Sequence, residues 1–280
     1  MEISNTLYHQ GTMLYVQRTW RNTDNIMAYT TINDPSAHFH TQLYTGNGSE
    51  LAVTNNANFG NFQPDWIWLK DRSASTDNFL HDTSRGITHR IESNSGAGQR
   101  SNSQDVKSVQ SNGFTVGNNT GCNTNNNLHA AWQWKVNGGT TASNSDGSIT
   151  STVQVNTTSG LSITRYTGNA SAGATFGHGL GVAPSTVIIK YYGGSDDWSV
   201  WHKSNSASTL RLNTSAAKND SKWSSNFNST APGASVVTIG SDNQVNGNSN
   251  QYVCFAWAEI QGYSKFGTYK GNGNADGTFV

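Results

Sequence analysis

Five side chains in one short segment, Tyr191, Tyr192, Asp196, Asp197 and Trp198, combine rings that can stack on sugar faces with carboxylates that can accept from sugar hydroxyls. The corresponding earlier segment, residues 71–78, has no aromatic residue. A loop that varies over a constant framework is where a scaffold carries its contacts, so these five are candidate glycan or receptor contacts. The competing reading is that their rings cover the end of a sandwich. Other chemistry finds less support. Glycoside hydrolysis needs two carboxylates held across a sugar, but Asp65, Asp71 and Glu92 are answered in the second half by Ser185, Tyr191 and Asn213. His81 and His202 do recur, yet Asp82 beside one is replaced by Lys203 beside the other, so a twice-built triad is not expected. Both read as histidines hydrogen-bonded within the fold. Asp196, Asp197 and the run 242–248 offer oxygen ligands for a structural Ca2+, without EF-hand spacing, and serve equally as turn formers. Gly46 and Gly48 precede no helical pattern and read as a turn rather than a phosphate loop. No catalytic residue and no metal ligand is assigned, and the protein is expected not to be an enzyme.

The elements that must position these residues are repeated. Tyr44, Thr45, Gly46, Asn47, Gly48, Ser49 returns as Tyr166, Thr167, Gly168, Asn169, Ala170, Ser171, and a third version opens at Tyr269, Lys270, Gly271, Asn272. Pro64 and Lys70 return as Pro184 and Lys190, His81 and Arg90 as His202 and Arg211, and Gly117 and Trp134 as Gly240 and Trp257. A register held over so many landmarks requires two copies of one large unit. The sequence therefore divides into a leader, 1–39, a first repeat, 40–140, and a polar linker, 141–160, able to hold a strand. A second repeat, 161–263, and the start of an incomplete third, 264–280, follow.

Short alternating or apolar runs bounded by Gly, Asn, Ser and Pro recur through both repeats, at 41–45, 65–70, 87–92, 113–117 and 129–135, then 162–167, 185–192, 198–202, 209–213, 234–239 and 251–260. Helical spacing is poor, with residues 105–111 the best candidate for a single turn. The fold class predicted is all-β: two tandem homologous β-sandwich or jelly-roll-like domains behind an N-terminal leader. Ile67 and Leu69 are matched by Val187 and Ile189, which marks their face as core, whereas Trp66 is matched by Thr186, so that indole is not expected to be demanded by the fold.

Only 12% of residues are charged, against roughly a quarter in an average protein, and 17 basic residues balance 17 acidic ones. Polyelectrolyte attraction to nucleic acid or to an anionic membrane is therefore not expected, and no apolar run is long enough for membrane insertion. Cys122 and Cys254 occupy non-equivalent positions and suggest neither a zinc site nor a disulfide framework. Nine Trp, ten Tyr and ten Phe nevertheless supply the apolar area of a folded core.

The Tyr44–Ser49 phrase, Pro64 to Lys70, Trp132 to Lys135 with Gly138 and Gly139, Gly177 to Pro184, and Ala258 to Gly267 together resemble a repeated, uncharacterised domain of marine bacteriophage virion proteins, especially those of cyanophages, of tail-fibre-like type. The match covers about residues 30–280. The resemblance implies a phage particle as the location and a virion structural role, as a tail-fibre or appendage component that contacts a host surface glycan. It implies attachment to other virion proteins through residues 1–39 and a homo-oligomer, such as a trimer. A capsid or tail decoration protein without a receptor, and a polysaccharide depolymerase, are the alternatives.

Overall fold

Side chains alternate between the two faces of a strand, and here the central strands are buried on both. The computed structural model describes residues 3–10, 13–20, 30–56, 60–219 and 221–277. Strands β1 (Ile3–Gln10) and β2 (Met13–Trp20) form an antiparallel hairpin. The first half contains β3 (Phe39–Thr45), β4 (Leu51–Thr54), β5 (Trp66–Asp71), β6 (Phe79–Asp82), β7 (His89–Glu92), β8 (Arg100–Ser101), β9 (Val106–Gln110), β10 (Gly113–Val116), the single-turn helix α1 (Thr120–Asn123) and β11 (Leu128–Trp134). The second half contains β12 (Ala142–Asn144), β13 (Ser151–Asn156), β14 (Leu161–Thr167), β15 (Ala174–Gly177), β16 (Thr186–Tyr191), β17 (Ser199–His202), β18 (Leu210–Arg211), α2 (Ser221–Phe227), β19 (Val236–Ile239), α3 (Asn243–Asn246) and β20 (Gln251–Trp257).

The result is an all-β protein with several large antiparallel sheets, of the β-sandwich type. A six-stranded sheet, β3-β11-β5-β6-β7-β8, and a seven-stranded sheet, β12-β13-β14-β20-β16-β17-β18, form its middle, with β4-β10-β9 and β15-β19 outside them. Strand β11 lies between β3 and β5 as β20 lies between β14 and β16. Three buried clusters separate these layers. Ile67, Leu69 and Ala131 pack against Val53, Phe114 and Val116 in the first half. Val187, Ile189 and Cys254 pack against Phe176, Val237 and Ile239 in the second. The third cluster joins the halves, with Trp66, Leu80 and Ile91 from one large sheet against Ile163, Val253 and Phe255 from the other.

That third cluster corrects the reading of Trp66, which is only 2% exposed. The opposite faces of the two large sheets meet each other. Equivalent faces in contact must be complementary rather than identical, so a large Trp66 on one side is tolerated because its counterpart Thr186 is small. One further expectation changes. Residues 105–111 are not a helical turn, because Val106 belongs to the first core and β9 pairs with β10. Residues 141–160, read as a polar linker able to hold a strand, contain β12 and β13, which extend the second large sheet beyond β14. Among the described residues the first half has no such extension. Thr41, Leu43 and Thr45 are exposed on edge strand β3, whereas β14 is buried except at Arg165 and Thr167. In the leader, Ile26, Met27 and Tyr29 lie outside the described residues.

Candidate functional site

The repeated phrase closes each half with the same hydrogen bonds. Asn47 N–H donates to Asn123 Oδ1 at 2.9 Å, and Asn169 N–H to Asn246 Oδ1 at 2.8 Å. Asn123 Nδ2 donates to the carbonyls of Gly117 and Ser49, and Asn246 Nδ2 to those of Gly240 and Ser171. The phenols of Tyr44 and Tyr166 donate to the carbonyls of Cys122 and Val245, at 2.6 and 2.7 Å. The first glycine of each phrase is required by close approach, since a Cβ on Gly46 or Gly168 would collide with the carbonyl of Thr124 or Gly247. Gly48 has a left-handed φ of 68°, and Ala170, its counterpart, holds the same conformation at 59°. In the third phrase Asn274 N–H donates to Asn272 Oδ1 at 3.0 Å, as Ser49 N–H does to Asn47 and Ser171 N–H to Asn169, but Tyr269 is exposed.

The predicted contact loop lies where the halves join. Trp198 is wholly buried, and its indole N–H is shared between the carbonyls of Glu92 and Ser95, each at 3.1 Å. It has no free face for a sugar ring, which corrects the expectation for that residue. The physical reason is that segment 92–101 of the first half seats against the loop. Gln99 N–H donates to Tyr192 O at 2.8 Å and Asp196 N–H to Gly96 O at 2.9 Å. Buried Lys190 donates to the carbonyls of Gly96, Tyr191 and Asp196, and burial lowers its ammonium to about 8. Tyr191 turns to the second core against Tyr252, with ring centroids 5.4 Å apart, while Tyr192 packs on the joining cluster beneath Arg85. Asp196 accepts from Asp197 N–H, and Asp197 pairs with Arg211 and Asn213. Tyr192, Trp198 and the Asp196 backbone therefore join the halves, while the Tyr191 and Asp197 side chains are held within the second.

Sequence reasoning missed the neighbouring cavity of about 390 Å³ in the seam, within the roughly 300–1,000 Å³ of small-molecule sites. Trp66, Trp68 and Trp134 wall it from the first sheet, and Trp257, Thr186 and Ile188 from the second. Trp66 lies 4.7 Å from Phe255 in a stacked pair and 4.3 Å from Trp134, which fixes its ring. Tyr263, Ser264 and Phe266 close one side. The tight turn that presents them is held by Tyr263 and Ser264 N–H groups on Ile260 O, both at 2.9 Å, and by Phe266 N–H on Glu259 at 2.7 Å. Burial raises the Tyr263 phenol to about 12, so it stays protonated. Trp68 also borders a second hollow of about 390 Å³, lined by Asn78, Ser93, Asn94 and Asn213 among others. The available signal was the copy-to-copy difference at Trp66 and Trp68, which marks a face with a different task in each half.

The remaining candidates are engaged elsewhere. Asp65 accepts from the N–H groups of Val136, Gly138 and Gly139, and Asp71 from Ser73 N–H and Asn127. Glu92 lies 3.3 Å from Arg90 and 3.4 Å from Arg100. His81 is fully buried, with Nδ1 2.8 Å from Ile87 O, and burial pushes its pKa down to about 3. His202 accepts from Ser204 N–H at 3.2 Å. Asp242 caps α3 and pairs with Lys222. Among the described residues no three His, Cys, Asp or Glu side chains gather as metal ligands, and no helix is long and apolar enough to cross a membrane.

Neither a curated protein nor a solved structure matches the sequence. A family model described as a domain of unknown function, DUF7483, matches residues 34–280, a span that holds both clamps and the whole seam, and the chain belongs to that family.

Proposed function

We propose that the protein is a non-catalytic structural component of a bacteriophage particle, a tail-fibre or appendage subunit that presents two tandem homologous β-sandwich units to a host surface. The observation that carries this reading is the doubled clamp. The same tyrosine, glycine and asparagine positions make the same hydrogen bonds in both halves, as duplication of one unit would produce. These phrases are also among those that resemble the phage repeats, so the resemblance rests in part on residues that hold each unit together. A rigid, neutral, polar surface suits a particle exposed to salt, where exposed ion pairs are screened within several ångströms. Residues 1–39 attach the units to other virion proteins, and the subunits assemble as a symmetric homo-oligomer.

The test is incorporation. Particles produced with a chain lacking residues 1–39 should contain none of it, while the isolated repeats keep their β circular dichroism and cooperative melting. Normal incorporation of the truncated chain would end the attachment role, and absence of the full chain from purified particles would end the virion reading. Incorporated protein whose soluble form fails to compete with adsorption to host cells would instead be a decoration protein.

A further inference from the structure

We propose that the seam cavity and the adjoining hollow form one binding site for a neutral oligosaccharide, with Trp68 as the platform between them. The proposal deepens the surface-contact reading and rests on it only for the source of the sugar. The chemistry of the walls selects the ligand. Trp66, Trp134 and Trp257 offer broad ring surfaces, which suit the C–H faces of a pyranose. No charged side chain lines either compartment, so a carboxylated or sulfated sugar would enter without a counter-charge. Hydroxyls of Ser159, Thr186 and Ser264 interrupt the rings, and beyond Trp68 the walls turn to amides and hydroxyls. Ser159 Oγ has no partner in the protein and a purely apolar ligand would leave it so, whereas a saccharide is apolar on its faces and polar at its rim.

Two residues of the aromatic compartment reinforce this. Trp66 is 2% and Ser159 5% exposed, and Trp66 Nε1 and Ser159 Oγ have no hydrogen-bond partner in the protein. Buried polar atoms are ordinarily satisfied, and a ligand hydroxyl reaching between the rings supplies what each lacks. Tyr263, Ser264 and Phe266 stand over this compartment on a short turn bound through its own backbone, so the segment after β20 forms one wall. Strands β5 and β16 supply the opposing walls, so the site exists only because the two large sheets face each other.

The experiment titrates the full chain, labelled with 15N-tryptophan, with neutral gluco-, galacto-, manno- and N-acetylglucosamine oligosaccharides, an oligogalacturonate of matched length, and 1-octanol. The result expected is binding of at least one neutral oligomer with shifts of the Trp66 and Trp68 indole signals, and weaker binding of the uronate. Trp68→Ala, a half-buried position, should lower the affinity roughly tenfold while the melting transition persists. If that variant fails to fold, the indole shifts of the unmodified chain decide. No binding at millimolar sugar, binding that leaves both indoles unshifted, unchanged affinity in a folded Trp68→Ala chain, or a response to octanol alone would each overturn the proposal. Because the readout is the isolated chain, its failure leaves the particle assignment standing, and failure of incorporation leaves sugar binding standing.

Discussion

Replacing Asn123 or Asn246 by Ala should cost the protein nearly the same stability, although the two residues lie in different halves. Both are fully buried. Each truncation strips three backbone groups of their partner: an N–H (Asn47 or Asn169), one carbonyl that shares in partial solvent access (Ser49 or Ser171), and one wholly buried carbonyl (Gly117 or Gly240). Leaving a buried acceptor unpaired costs about 1–3 kcal/mol, and losing a hydrogen bond whose partner can reach water costs about 0.5–1.5 kcal/mol. Each variant should therefore lose roughly 3 kcal/mol, read as a shift of the urea midpoint at unchanged slope. Asn123→Asp should be no milder, because a carboxylate can accept from Asn47 N–H but has no donor for the two carbonyls. A difference of more than about 1.5 kcal/mol between the two alanine variants, or a cost under about 1 kcal/mol for either, would refute the equivalence of the clamps.

Other consequences are open to the same measurements. Ala170→Gly should stabilise the protein by about 0.5–1 kcal/mol because Ala170 holds a left-handed φ, and Gly48→Ala should destabilise it comparably; matched thermal melts would show either sign to be wrong. Trp66→Ala removes a buried tryptophan from the seam and should cost about 3–5 kcal/mol in denaturant unfolding, whereas a loss near zero would mean the sheets are not packed there. The folded pKa of His81, about 3, lies below its ordinary 6.5, so the unfolded chain binds the extra proton between those values and stability falls as pH drops through that window. The loss from this group is about 2 kcal/mol by pH 5. His129 and His178, lowered by burial, act in the same direction, and His81→Asn should flatten the profile by about one proton. Outward-facing amides of β3 should exchange with deuterium faster than those of β14, which β13 covers; equal protection would contradict the open edge.

Much of the architecture is local and was therefore legible in the chain. Alternation at Ile67 and Leu69, matched by Val187 and Ile189, marks a core face because strand periodicity is set by the backbone. The repeated Tyr-Thr-Gly-Asn phrase announces one turn built twice, since its glycine and its asparagine are dictated by contacts that any copy must make. What the sequence could not contain is the partner of each remaining face. Trp66 looked dispensable because Thr186 replaces it, and Trp198 looked available because the first repeat lacks it. Both differences arise from one cause: the two halves of the chain pack against each other, so each is shaped to the surface it meets. Composition and period determined the strands, the turns and the two inner cores. Only the tertiary structure decided that the outer faces of the large sheets close on one another, because that contact is made between residues about a hundred or more positions apart and is encoded in their complementarity rather than in any local pattern.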